Sequence, residues 1–205
     1  MSDFRIPAGP GESELTEKRS RFLGHLCLAE TEEDAKAFIR DVKKQYYDAR
    51  HNCWCYRISG GPERFSDDGE PQGSAGMPML EVFRKENVSN LVCVVTRYFG
   101  GVLLGTGGLS RAYSQAAKDA LLNAGTVSAG QWTELCFSCP YPLLERVRSE
   151  LTQYGAIPGE FDYNADVTVR AKLPSEEAPA LAARIYDLSG GKIEPELSEP
   201  FLYSR

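Results

Sequence analysis

Residues 19–28 alternate apolar and polar side chains closely enough to predict a strand. Thr31 then precedes Glu32, Glu33 and Asp34, a capping-box-like start with acids in the first turn, where a helix carries partial positive charge. The helix it opens places Ala35, Phe38, Ile39 and Val42 at helical spacing and ends near Tyr47. A strand follows at 51–58, then a turn-rich loop at 59–78, a short apolar helix at 79–84 and a β-branched strand at 91–96. A glycine-rich loop, 100–108, leads into a helix over 109–123.

Residues 125–130 are small and polar, and the domain boundary is expected there, dividing 1–128 from 129–205. Beyond it the pattern predicts a strand at 132–139, a helix at 142–154, strands at 156–163 and 166–173, a helix capped by Ser175 and reaching Leu188, and a last strand at 192–198. The order βαββαβ over about 70 residues is the ferredoxin-like arrangement. The fold class expected is therefore α+β, in two domains, without internal repeats or low-complexity tracts.

Composition agrees with two ordinary cores: 205 residues are 42% hydrophobic and 25% charged. The first ten residues are polar and broken by Pro7 and Pro10, unlike a signal peptide, and no window approaches the roughly 20 apolar residues that span a bilayer. The expected compartment is the cytoplasm, with no membrane partner. Six cysteines at 27, 53, 55, 93, 136 and 139 fall mostly within strands, where a free thiol serves as a small hydrophobe rather than a disulfide. Net charge is −6, with 16 Lys+Arg against 17 Asp+Glu in residues 1–129 and 7 against 12 in 130–205. Binding nucleic acid by bulk electrostatics is thereby excluded, so any such contact needs a local patch.

Three segments carry candidate chemistry. In the first, a strand delivers Arg97 and Tyr98, five glycines follow from Gly100 to Gly108, and a helix starts at once. Glycine amides and a helix N-terminus together can hold an anion, and Arg97 and Arg111 can close on the same group. There is no Gly-Lys-Ser/Thr of a phosphate loop, and Ser110 stands where a dinucleotide fingerprint needs its third glycine. Close packing of strand on helix accounts for the glycines equally well. The second segment, 66–78, holds Asp67, Asp68 and Glu70, which suit a divalent cation or an acid/base pair, but also plain turn chemistry. In the third, His51, Cys53 and Cys55 share one face of a strand, with Asn52, Trp54 and Tyr56 on the other. Neighbours two apart on a strand lie roughly 7 Å apart, too far for a Cys–His pair, and a zinc set lacks its fourth ligand. His51 and Arg57 are placed in the same cleft as the acidic loop. His25, Tyr46, Tyr47 and Trp132 have no constellation and are assigned to packing.

These residues carry a resemblance. His51-Asn52-Cys53, then Ser66-Asp67-Asp68-Gly69-Glu70-Pro71 with Gly73, Ala75, Gly76 and Pro78, then Arg97-Tyr98-Phe99-Gly100-Gly101 with Leu104-Gly105, Gly107, Gly108 and Leu109, resemble the signatures of the IMPACT family, in its bacterial YigZ branch. The resemblance implies a first domain like domain 2 of ribosomal protein S5 and a second like the fifth domain of elongation factor G. Eukaryotic relatives regulate translation by opposing a kinase that inhibits initiation, through an extra domain outside this pattern. Many members have a lysine in the glycine loop where this chain has Leu103.

The expectation is a translation-related regulator that binds RNA or a ribosome-associated protein through its first domain. It would use Arg97, Tyr98, Gly105, Gly107, Gly108 and Arg111, with no catalytic residue, metal or other cofactor, and no DNA specificity. The rival is an enzyme using Asp67, Asp68 and Glu70 with the glycine loop as a metal or anion site, the cleft including His51 and Arg57. The rival requires the loop at 67–70 to lie within about 10 Å of the loop at 105–108.

Overall fold

The protein is described by a computed structural model covering residues 4–204; the outer limits of the expected division, residues 1 and 205, lie outside them. The described residues fall into two compact units, the first Phe4–Ser128 and the second beginning at Ala129. In chain order the first unit holds β1 (Phe4–Pro7), β2 (Gly11–Glu17), β3 (Ser20–Leu28), α1 (Glu32–Gln45), β4 (His51–Arg57), β5 (Glu63–Ser66), α2 (Gly76–Lys85), β6 (Leu91–Tyr98) and α3 (Gly105–Ala124).

Five of these strands form an antiparallel sheet in the order β2-β3-β6-β4-β5. β6 is central and buried from Leu91 to Arg97, which explains its nearly unbroken apolar run. α1 covers one face, setting Ala35, Ile39 and Val42 against Tyr56, Val92 and Val94. α2 and α3 cover the other, where Met79, Phe83, Tyr113 and Ala116 meet Cys53, Cys55, Cys93 and Val95. Strand alternation then sends Arg97 to the α2–α3 side and Tyr98 to the α1 side. α3 lies against β2 and β3 at backbone distance. A Cβ added at Gly11 would fall 2.0 Å from the Ala120 carbonyl oxygen, and one at Gly24 would fall 2.9 Å from that of Ala116.

The chain passes into the second unit along β7 (Thr126–Cys139), followed by α4 (Leu144–Gln153), β8 (Ile157–Pro158), β9 (Asp162–Tyr163), β10 (Val167–Pro174), α5 (Ala178–Leu188), β11 (Glu196–Leu197) and β12 (Phe201–Ser204). The order β11-β7-β10-β8, with every neighbour antiparallel, is the split βαβ order of a ferredoxin-like domain. Leu135, Val147, Val169, Leu173, Leu181 and Ile185 form its core. The protein is thus a two-domain α+β chain.

Several expectations are corrected. Residues 125–130 are not a break: β7 starts at Thr126, and β12 pairs with its residues from Ala129 to Trp132. Ser175 does not cap α5, which starts behind Glu177, because the Ser175 hydroxyl is bonded to that of Thr133 at 2.8 Å. The strand at 192–198 shrinks to Glu196–Leu197, while β1, β2, β5 and β12 arise where none was expected. Among the described residues no helix is long and apolar enough to cross a membrane.

Candidate functional site

The loop between β5 and α2 is built by its own acids. The Asp67 carboxylate accepts hydrogen bonds from the amides of Gly73, Ala75 and Gly76 at 2.8, 3.0 and 2.9 Å. It thereby caps α2, whose own N-cap is the side-chain-poor Ala75. Asp68 accepts from the Asn52 amide at 2.7 Å and pairs with Lys43 at 2.6 Å. Left-handed turns at Asp68 (φ 44°) and Gly69 (φ 88°) then drive Glu70 inward. Its Oε1 accepts from Arg97 Nη1 at 2.6 Å and from the Tyr113 hydroxyl at 2.9 Å. Burial, then the neighbouring Cys53 and Glu70, pushes the Tyr113 phenol far above its ordinary range, so it stays a donor. Asp67, Asp68 and Glu70 therefore hold three separate structural positions, which overturns their reading as a shared metal or acid/base set. Among the described residues no group of three or more His, Cys, Asp or Glu side chains is placed to hold a metal.

Sheet register assembles the rest. His51 on β4 lies directly opposite Arg97 on β6, and Arg97 opposite Phe22 on β3. The His51 Nδ1 lies 2.8 Å from the Asp68 carbonyl oxygen; since a carbonyl only accepts, Nδ1 carries the hydrogen of this bond. Cys53 donates its thiol hydrogen to the Asp67 carbonyl at 3.0 Å, and burial pushes that thiol well up, so it is no nucleophile. Arg57 is corrected: it sits six residues from His51 on β4, about 20 Å by strand rise. There it pairs with Glu63 at 2.6 Å and donates to the Val88 carbonyl at 3.0 Å.

Arg97 is 5% exposed, so it is not the free cation expected. Its charge is matched by Glu70, its guanidinium carbon lies 5.5 and 5.4 Å from the ring centroids of Phe22 and Phe99, and Nη2 reaches the Ser20 hydroxyl only at 3.4 Å. Its Nε is buried without a partner. Tyr98 is also corrected. It points to the α1 side, where its hydroxyl donates to Asp48 at 2.8 Å, so the exposed aromatic beside Arg97 is Phe99, 43% exposed, Phe22 being buried.

A cavity of about 370 Å³ opens here, lined by Arg50, His51, Gly69, Glu70, Arg97, Phe99, Leu103, Gly105 and Thr106 among others. The acidic loop and the start of α3 thus border one space. Arg111 borders a different cavity, with Lys18, Gly108 and Gln115; Leu104 lines both. The two arginines therefore do not close on one group. The glycines divide likewise: Gly105 faces the Arg97 cavity, Gly108 the Arg111 cavity, and Gly107 is exposed between them near the Arg111 guanidinium.

α3 begins without a side-chain cap and without an acid in its first turn, so its first amides face outward with no partner supplied by the chain locally. Leu104 is right-handed (φ −90°, ψ −24°) and Gly105 left-handed (φ 72°), an alternation that gathers successive amides into one concavity. At Gly100 a Cβ would fall 2.0 Å from the Arg19 carbonyl carbon, which clamps the glycine loop onto the turn joining β2 to β3. That turn is Lys18-Arg19, with φ of 45° and 67°, a conformation that usually selects asparagine and glycine.

Sequence reasoning missed Lys18, Arg19, Arg50 and Tyr113. All three missed cations are exposed, as is Arg111, and none of the four makes an ion pair or side-chain hydrogen bond among the described residues. The signal for Arg50 was its adjacency to His51. Lys18-Arg19 is legible as a turn only once β2 is recognised.

A family model described as the Impact N-terminal domain matches residues 18–121, and one described as a domain of unknown function (DUF1949) matches residues 137–192. The chain is 37% identical to the IMPACT family member YvyE of Bacillus subtilis, over 89% of this chain and 85% of that one. It is also 37% identical to the IMPACT family member YigZ of Escherichia coli, over 95% and 97%. Protein IMPACT of Oryctolagus cuniculus is 34% identical over 50% of this chain and 37% of its own length. A crystal structure described as a hypothetical protein superposes with a TM-score of 0.66 at 35% identity, covering 97% of this chain and 98% of that one.

Proposed function

The chain belongs to the IMPACT family, and from that premise we propose that its first domain is an RNA-binding module acting in translation. The observation that carries the reading is a set of exposed, unpaired cations in two neighbouring cavities, one of which also holds an exposed aromatic. Lys18 and Arg111, with one acid, Glu17, border the cavity on one side of Leu104, Arg50 and Phe99 border the other, and Arg19 follows Lys18 in the exposed turn against Gly100. Backbone phosphates are held by such unpaired cations, and an unpaired base stacks on an aromatic face. Lys18 and Arg19 also hold a backbone conformation that costs energy, of the kind that persists where a surface is used. The local patch accommodates the absence of any basic excess in the whole chain.

The enzyme reading retains one supporting observation, the cavity shared by the acidic loop and the start of α3. It loses its chemistry, because Glu70 is committed to Arg97 and Tyr113. The RNA reading is preferred.

Single-stranded RNA binding measured across a salt series tests it. Replacing Lys18, Arg19 and Arg111 together by alanine is expected to lower affinity and to reduce the slope of log K against log salt by about 2 to 3. An unchanged slope would mean that this face does not meet phosphate, and a ribosome-associated protein would become the partner to seek.

A further inference from the structure

The cavity beside Glu70 does more than border the exposed cations. We infer that it is a subsite for a phosphomonoester: the terminal phosphate of an RNA strand or of a free nucleotide. The RNA-end form of this inference rests on the RNA-binding reading, whereas the phosphate site itself does not.

Two independent observations converge on the same space. The first is the uncapped, acid-free start of the 20-residue helix α3, whose Gly105 and Thr106 line the cavity. A helix start presents several outward amides and a partial positive charge, and anions gather there. The second is Arg97. Its side chain is 7% exposed and lines the cavity, yet its guanidinium is under-used: Nη1 serves Glu70, Nη2 makes a long contact to Ser20, and Nε has no partner. An ion pair with Glu70 alone explains the charge match but not the donors left over in a buried place, where each unmet donor costs free energy. A ligand rich in acceptors at the cavity wall would meet the outward amides of α3 and the Nη hydrogens that Glu70 and Ser20 leave unused.

The balance of charge fixes the ligand's sign. Arg50 and Arg97 face one carboxylate, Glu70, and α3 adds its partial positive charge. The site therefore attracts an anion. A terminal phosphate offers three free oxygens to guanidinium and amide donors, more than a diester inside a chain can turn toward one pocket. His51 lines the same cavity, its ring fixed by the bond between Nδ1 and the Asp68 carbonyl. The remaining wall is apolar. Phe99 lies beside the Arg97 guanidinium, suited to stack the sugar or base that carries the phosphate. A volume of about 370 Å³ lies in the range of pockets that enclose small ligands.

The test compares one short RNA prepared in three forms, with a 5′ phosphate, with a 3′ phosphate and with neither, by calorimetry in phosphate-free buffer. Adenosine 5′-monophosphate and adenosine are titrated alongside. One phosphorylated RNA should bind about tenfold more tightly than the unphosphorylated form, and the monophosphate more tightly than adenosine. Thr106→Asp, at an exposed position in the first turn, should abolish both preferences while its melting temperature holds or rises. Equal binding of all three RNAs, with the monophosphate no better than adenosine, overturns the subsite and leaves the RNA reading standing. Preference for the monophosphate without RNA binding in any form keeps the subsite, assigns it to a free nucleotide and removes the RNA reading.

Discussion

Helices α1 and α3 pack on opposite faces of one sheet, and they begin in opposite ways. α1 opens with Thr31, whose hydroxyl accepts from the Asp34 amide at 3.1 Å while the Asp34 carboxylate accepts from the Thr31 amide at 3.0 Å. Three acids occupy its first turn. α3 opens with Leu104 and glycines, and has neither cap nor acid. α2 stands between them, because its cap comes from Asp67, eight or nine residues upstream of the amides it serves. A helix start that is satisfied from within has nothing left for a ligand. That of α3 is the one of the three that keeps its donors, and it is also the one beside a cavity and an under-used arginine.

The comparison can be broken at each helix. The largest effect belongs to Glu70, which holds Arg97 beside α3: Glu70→Ala strands a buried charge and is expected to cost about 3 to 5 kcal/mol in denaturant unfolding. Replacing both partners, Glu70→Leu with Arg97→Met, should recover most of that loss; a double variant as unstable as the single one would show that the pair is not the reason. Asp67→Ala removes three bonds to a charged acceptor and should cost about 2 kcal/mol, with faster hydrogen exchange at Gly73, Ala75 and Gly76. Unprotected amides in the parent protein would contradict the remote cap. Thr31→Ala should cost about 1 kcal/mol. The smallest change has the opposite sign: Thr106→Asp should stabilise by about 0.3 to 1 kcal/mol, and a loss of stability there would mean that the start of α3 is already satisfied.

What could be foreseen followed from how local each cause is. The capping box of α1 lies within four consecutive residues, so the helix start at Glu32 was legible. β6 was legible because burial on both faces writes itself as an apolar run. β2 was not: Gly11–Glu17 is an edge strand of mostly polar residues, and its turn, Lys18-Arg19, lacks the glycine or asparagine that would announce it. The fate of Arg97 depended on Glu70, 27 residues away in sequence, and that of Asp67 on amides it meets only after the loop closes. Two errors had a remedy in the sequence itself. Period-two alternation already parts Tyr98 from Arg97, and strand rise already parts Arg57 from His51.

The seating of α3 against Gly11 and Gly24 bears on how anything would bind at its start. Its buried side is largely alanine, at Ala112, Ala116, Ala117 and Ala120, with no rotamers to freeze, and the strands beneath offer bare backbone. Such a helix has little room to shift, so its first turn is held in place before a ligand arrives. Binding there should register in a calorimeter as a small heat-capacity change, without the large negative value that accompanies the folding of a disordered segment around its partner.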